Sequence, residues 1–179
     1  MNHNYYIFSK RLLLRPLRMS DLEWVRQWRN QAHIRSLFQD SRPIEAHEQL
    51  LWYERYEQQP DDMMFLVTCR KDYTPLGTAA IYHVDLNVGT AELGRIQIGP
   101  ADVIGQGYGT EIVQAMLSFA WNVLHLYAVE LYVKNDNEQA IRTSIACRFT
   151  LINDDIVQET TKGSFLKMTM YANTFKGLP

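Results

Sequence analysis

The sequence predicts a single mixed α/β (α+β) domain over residues 1–179, with a central sheet of about seven strands flanked by about four helices. Three observations lead there. Residues 63–69, 76–85 and 90–98 are strand-length apolar or alternating runs, joined by turns that hold Asp72, Pro75, Asn87 and Gly89, which implies an antiparallel meander. Residues 90–98 then pass through a glycine-rich turn into a helical run, residues 107–124, and another short strand, residues 127–133; that order implies parallel pairing with a right-handed crossover. The chain has 179 residues, 46% of them apolar, enough to fill one core and too few for two comfortable domains.

The elements follow in order. Residues 11–17 read as an opening strand, with Leu12 and Leu14 on one face and Pro16 at its end. Ser20-Asp21-Leu22-Glu23 reads as a capping box in which Glu23 reaches back, starting a helix to about Asn30 with Leu22, Val25 and Trp28 as its buried stripe. His33 to Phe38 is a short helical piece. Pro43 suits a first helical turn, and residues 44–58 form a second long helix, broken at Pro60-Asp61-Asp62. The helix after the glycines carries Ile112, Val113, Met116, Leu117, Ala120, Val123 and Leu124 at helical spacing. Residues 137–147 form a shorter helix. Residues 149–158 and 164–171 read as closing strands, and exposed strand ends at Met168 to Tyr171 offer one route to a homodimer.

Composition excludes several classes. Net charge is −2 and the pI is near 6.2, which argues against broad nucleic-acid binding. Cys69 and Cys147 have no metal-ligand neighbours at useful spacing, so neither a disulfide framework nor a metal site is expected. The apolar run at Tyr5 to Phe8 is too short for a signal-peptide core, and no stretch has the length of a membrane helix. The expectation is a soluble cytoplasmic protein that binds neither membrane nor nucleic acid.

The densest functional signal is Ile98 to Glu111, with glycines at 105, 107 and 109 between a strand and a helix. Glycines let backbone N–H groups turn toward an anion, and the helix start adds its positive dipole end. No Gly-Lys-Ser/Thr follows, so the loop is not of the Walker A type. The spacing is not G-x-G-x-x-G and the preceding sheet is antiparallel, so it is not a dinucleotide fingerprint.

With these residues the chain resembles the GNAT superfamily of N-acetyltransferases, in particular the branch that includes ribosomal-protein alanine and serine acetyltransferases. The resemblance spans nearly the whole chain. Arg11-Leu12-x-Leu14-Arg15-Pro16-Leu17 with Ser20-Asp21 resembles the family's opening strand and helix. Ala91-Glu92-Leu93-Gly94 to Ile98-Gly99 resembles its fourth strand, Gly105 to Glu111 its pyrophosphate loop, and Asn137-Glu138-Gln139-Ala140-Ile141-Arg142 the start of its fourth helix. The resemblance implies acetyl-CoA as co-substrate, with no metal. Gly105, Gln106, Gly107, Tyr108, Gly109 and Thr110 would hold the pyrophosphate. The pantetheine would lie in a gap where two parallel strands splay after the fourth strand, against main-chain groups of Ile96 and Ile98, with Asn137 as a further hydrogen-bond partner.

The chain also departs from the family. Ile104 stands where many relatives carry Arg or Gln. Cys147-Arg148-Phe149 replaces a Leu-Gly-Phe ending. Seven residues after Asn137, where the family often has a general-acid Tyr, stands Ser144. Serine is a far weaker acid, so it holds a water, or the thiolate leaves unaided, its pKa of ~8.5 making it a tolerable leaving group.

A general base is needed because only the neutral amine attacks. Glu92 on the fourth strand is the candidate, against the plain alternative of a solvent-facing carboxylate; His83 on the preceding strand is a second candidate. For the acceptor, Trp28-Arg29-Asn30 with Arg35 resembles a pattern in relatives that acetylate amino-sugar nucleotides, where Arg29 and Arg35 would clamp a diphosphate and an aromatic would stack. The competing reading makes the tryptophans, Trp24, Trp28 and Trp52, core staples and pairs the arginines with Glu23, Glu45 or Glu48. The expected reaction is direct attack of an amine on acetyl-CoA in a ternary complex. The acceptor is an amino-sugar nucleotide, another small amine such as a polyamine or aminoglycoside, or a protein N-terminus; a polyamine site should be acidic, and Arg29 and Arg35 near the site would speak against it. The alternative is a degenerate fold that binds acyl-CoA as a sensor.

Overall fold

The computed structural model describes residues 3–35, 42–151, 157–160 and 163–175. Strands β1 (Ile7–Phe8) and β2 (Leu12–Pro16) open the chain. Helices α1 (Leu22–Asn30), α2 (Ala32–Arg35) and α3 (Ala46–Tyr56) follow. Then come β3 (Met63–Cys69), β4 (Pro75–Asp85), β5 (Thr90–Ile98), α4 (Tyr108–Asn122), β6 (Ala128–Lys134), α5 (Glu138–Ala146), β7 (Thr150–Leu151), β8 (Val157–Thr160) and β9 (Gly163–Tyr171).

Among the described residues these strands make one nine-stranded sheet in the order β1-β2-β3-β4-β5-β6-β9-β7, with β8 also on β9. The two strands beyond the expected seven have simple origins. β1 is a two-residue pairing on β2, and the expected strand over 149–158 is present as β7 and β8. The expectation of an exposed strand end at Met168 to Tyr171 is corrected. β9 pairs with β6 along one edge and with β7 and β8 along the other, and Met168 and Met170 are fully buried.

β5 and β6 are the parallel pair, and they pair only over Thr90↔Ala128, Ala91↔Val129 and Glu92↔Glu130. Beyond Glu92, β6 stays on β9 through Lys134 and β5 stays on β4 to Ile98. The two strands therefore part, as the family resemblance implied. A register shift against β4 marks where β5 bends, and Arg95 there has φ 50°.

Each sheet face has its own core. α4 covers one face, burying Ile112, Val113, Met116, Leu117 and Ala120 against Leu12, Leu14, Phe65, Val67 and Ile81. α1 and α3 cover the other with Leu22, Val25, Trp28, Tyr53 and Tyr56.

The capping box lies one turn earlier than expected, on the 3-10 turn Met19–Asp21 that leads into α1. Asp21, not Glu23, reaches back: it accepts from the Arg18 N–H at 2.9 Å and from the Arg15 guanidinium at 2.7 and 2.8 Å. Glu23 instead pairs with Arg26 one turn on.

The end of α5 explains the missing family glycine. The Arg148 N–H bonds Ile145 and the Phe149 N–H bonds the Ser144 carbonyl, which together form a Schellman ending. Arg148 occupies the left-handed position at φ 68°, where a Cβ is strained. Arg148→Gly is expected to raise stability by about 0.5–1 kcal/mol, read as a higher midpoint in urea unfolding.

Candidate active site

The glycine turn adopts the geometry an anion cradle requires. Gly105 and Gly107 have φ of 83° and 79°, conformations closed to most side chains. Gly107 caps α4, whose first i→i−4 bond runs from the Glu111 N–H to the Gly107 carbonyl. The N–H groups of Tyr108, Gly109 and Thr110 precede that bond and so have no partner within the helix. Gln106 donates its amide to the Asp102 carbonyl, which shapes the turn from inside.

Glu111 does not face this cradle. Its carboxylate accepts from Ser9 Oγ and the Arg11 N–H at 2.7 Å each and from Arg11 Nε at 2.6 Å. Burial alone would raise its pKa; the bonds from Ser9 and Arg11 outweigh that and hold the carboxyl below its ordinary value. A lowered folded pKa stabilises the protein above the unfolded value of about 4.3, and that contribution is lost as pH falls through the folded one. Glu111→Gln is therefore expected to cost about 1–3 kcal/mol at pH 7, and the gap in urea midpoint between parent and variant should close below pH ~4.

The backbone of β5 sets the wall of the gap. The Gly99 N–H bonds the Leu76 carbonyl on the β4 side. Main-chain groups alternate along a strand, so those of Ile98 and Ile96 lie on the opposite edge, toward the opening between β5 and β6. Across the gap, Asn137 caps α5, its side-chain oxygen accepting from the Ala140 N–H at 3.1 Å; its amide NH2 is not used in that bond.

Glu92 sits at the point where the strands part. The Tyr82 hydroxyl donates to Glu92 Oε1, and His83 Nδ1 lies 3.2 Å from Oε2. Burial, and then the bond to Glu92, push the Tyr82 phenol far up, so it remains a donor at any working pH. The Arg95 guanidinium lies 4.3 Å over the Tyr82 ring and forks onto Asp62 at 2.7 and 2.8 Å. Burial raises the Asp62 carboxyl against the pull of Arg95. The chain Asp62–Arg95–Tyr82–Glu92 ties the candidate base to the core. Glu92 remains 20% exposed and so can reach a substrate, while His83 is an exposed neighbour.

Next to Glu92 is a cavity of about 220 Å³ lined by His83, Thr90, Ala91, Glu92, Glu130 and Tyr132. Glu130 faces Glu92 across the last parallel pair and is held by Lys167 Nζ at 2.7 Å. Tyr82, Arg95, Asp62, Glu130 and Tyr132 were not singled out from the sequence. The expected parallel pairing of 90–98 with 127–133 put Glu130 on the neighbouring strand, but the register that brings it beside Glu92 is set only in the fold.

The other sequence candidates lie elsewhere. Ser144 is 4% exposed and donates its hydroxyl to the Ala140 carbonyl at 2.8 Å, so its proton is engaged inside α5. Trp28 is 4% exposed, and a Cβ on Gly99 would lie 2.2 Å from its indole; it is a core staple between α1 and the start of the glycine loop, not a surface for stacking substrate. Asn30 clamps Ile44 through both of its amide atoms. Arg29 is half-buried on α1 and Arg35 ends α2, and neither lines the Glu92 cavity. Phe38 lies outside the described residues. Burial pushes the Cys147 thiol up to about 11, which leaves it unreactive. Among the described residues no group of His, Cys, Asp or Glu is placed to hold a metal, and no helix is long and apolar enough to cross a membrane.

Comparison with known proteins agrees with this geometry. The acetyltransferase (GNAT) domain family matches residues 11–150. The chain is 31% identical over 130 residues to spermidine N(1)-acetyltransferase of Escherichia coli K12, covering 72% of this chain and 67% of that protein. Its fold is similar to the spermidine N-acetyltransferase of Vibrio cholerae crystallised with CoA and spermine, at TM-score 0.80 and 20% identity, covering 92% and 98% of the two chains. A GNAT-family acetyltransferase of Bacillus anthracis is also similar, at TM-score 0.77 and 14% identity, covering 93% and 98%. These relatives do not single out the ribosomal-protein branch that the sequence resembled. The glycine cradle, the parted parallel strands and the match over residues 11–150 together place this chain in the GNAT family of N-acetyltransferases.

Proposed function

We propose that the protein transfers the acetyl group of acetyl-CoA to a primary amine of a polyamine, by direct attack in a ternary complex. The observation that carries the acceptor class is the pair of carboxylates, Glu92 and Glu130, in register at the point where β5 and β6 part. Lys167 offsets one of the two charges, and the net negative charge left at the mouth favours a polycation and disfavours an anionic sugar nucleotide. The similarity to spermidine N(1)-acetyltransferase supports the same class.

In this reading the amides from Gly105 to Thr110 hold the pyrophosphate at the start of α4. The pantetheine extends β5 along the edge of Ile96 and Ile98, and the free amide of Asn137 faces it from α5. The neutral amine attacks the thioester carbonyl, the C–S bond breaks, and CoA leaves as thiolate. Glu92 takes the proton from the attacking nitrogen, directly or through a water. Tyr82 and His83 orient the carboxylate, and its remaining lone pairs accept. Ser144 supplies no proton, because its hydroxyl is bound to Ala140.

The test is thiol release from acetyl-CoA over a panel of amines. Spermidine and spermine are expected to give kcat/KM at least about tenfold above an amino-sugar nucleotide and above peptides with a free N-terminus. A preference for the sugar nucleotide would return the acceptor site to Arg29 and Arg35. CoA binding without turnover on any amine would instead show a sensor.

A further inference from the structure

A second cavity, of about 500 Å³, lies on the far side of the glycine loop from the parted strands. It is lined by Lys10, Arg11, Cys69, Arg70, Lys71 and Tyr108. Four cations thus surround one opening in a chain whose net charge is −2.

The two arginines are fixed as its walls. Arg11 is held by Glu111, donates to the Gln106 carbonyl of the loop at 3.0 Å and lies 4.1 Å over the Tyr108 ring. Arg70 donates to the Ser9 carbonyl at 3.1 Å and lies over the Phe8 ring.

The two lysines differ from the rest. Among the described residues, Lys134 and Lys167 each rest on a carboxylate, while Lys10 and Lys71 are exposed with no acidic partner. The acids nearest to hand are already engaged. Glu111 is taken by Ser9 and Arg11, and Asp72 accepts from the Thr74 N–H within its own turn. Two lysines without acidic partners at one opening beside a glycine-rich helix start concentrate anions.

We propose that this cavity is a phosphate subsite in which Lys10 and Lys71 take a phosphomonoester dianion, with Arg11 bridging it to the glycine loop. The dianion has two sources of the same chemistry, the ribose 3′-phosphate of the CoA donor or a separate phosphate-bearing ligand. The first source rests on the donor reading above; the second does not.

Calorimetric titration of the full-length protein and the Lys10→Ala/Lys71→Ala variant with CoA, dephospho-CoA and inorganic tripolyphosphate tests the subsite. Both lysines are exposed, so the variant keeps the fold, which a thermal melt checks. If the donor supplies the phosphate, the parent binds CoA about tenfold or more tightly than dephospho-CoA, and the variant loses most of that ratio. If a separate ligand supplies it, tripolyphosphate binding falls about tenfold or more in the variant while the CoA to dephospho-CoA ratio is unchanged. Unchanged affinities for all three probes would overturn the subsite. So would an equal loss for CoA and dephospho-CoA with tripolyphosphate untouched. A parent that binds neither CoA nor dephospho-CoA would sink the donor reading alone, since tripolyphosphate still reports on the cavity.

Discussion

Glu92→Gln is expected to lower kcat with spermidine by about 100-fold or more, while the Kd for CoA stays unchanged. Glutamine keeps the shape and can still accept from Tyr82, so the loss isolates proton removal from packing. Tyr82→Phe should give a smaller loss, because it frees the carboxylate without removing it. Ser144→Ala should stay within about threefold of the parent, since its hydroxyl is spent on Ala140. A Glu92→Gln variant as fast as the parent would transfer the base role to His83 or to water.

Gly99→Ala is expected to be strongly damaging to both stability and the glycine loop. Its Cβ would stand 2.2 Å from indole carbons Cδ2 and Cε2 of Trp28, a side chain that is 4% exposed and closed in by Leu22, Val25 and Tyr53. Overpacking of this kind costs about 1–3 kcal/mol. Because Gly99 leads into the glycine loop, relief by backbone movement would shift the cradle as well. The variant should therefore show both a lower urea midpoint and a raised KM for acetyl-CoA. Combining it with Trp28→Leu should restore part of the stability. Additive losses in the double variant would mean that the two residues do not meet.

Much of the fold was legible because it rests on local pattern. The strands at 63–69, 75–85 and 90–98 alternate or run apolar between turn residues, and α4 shows its buried stripe in the spacing of Ile112, Val113, Met116 and Leu117. The parting of β5 from β6 was implied by resemblance. Its local mark, the bulge at Arg95, is a non-glycine residue at positive φ that no pattern announces.

The site was legible where backbone carries it and opaque where side chains meet across the fold. The glycines at 105 and 107 declared their positive φ. The Asp62–Arg95 fork joins residues 33 apart in sequence, and Tyr82 meets Glu92 only through the register of two strands. Trp28 fell on the buried stripe of α1, but its pocket is made by the missing Cβ of Gly99, far along the chain, which the helix pattern alone does not show. The strand at 164–171 was expected, but the same limit hid its interior place in the sheet, which shows only once β7 and β8 pair with it.

The most direct test of direct transfer is single turnover with acetyl-CoA labelled on the acetyl group, spermidine in excess, and quenching before and after amine addition. Direct transfer leaves no label on the protein without amine and puts one equivalent of label on spermidine for each thiol released when it is added. Label retained covalently on the protein before amine addition, or thiol released with no acetylated amine formed, would contradict it.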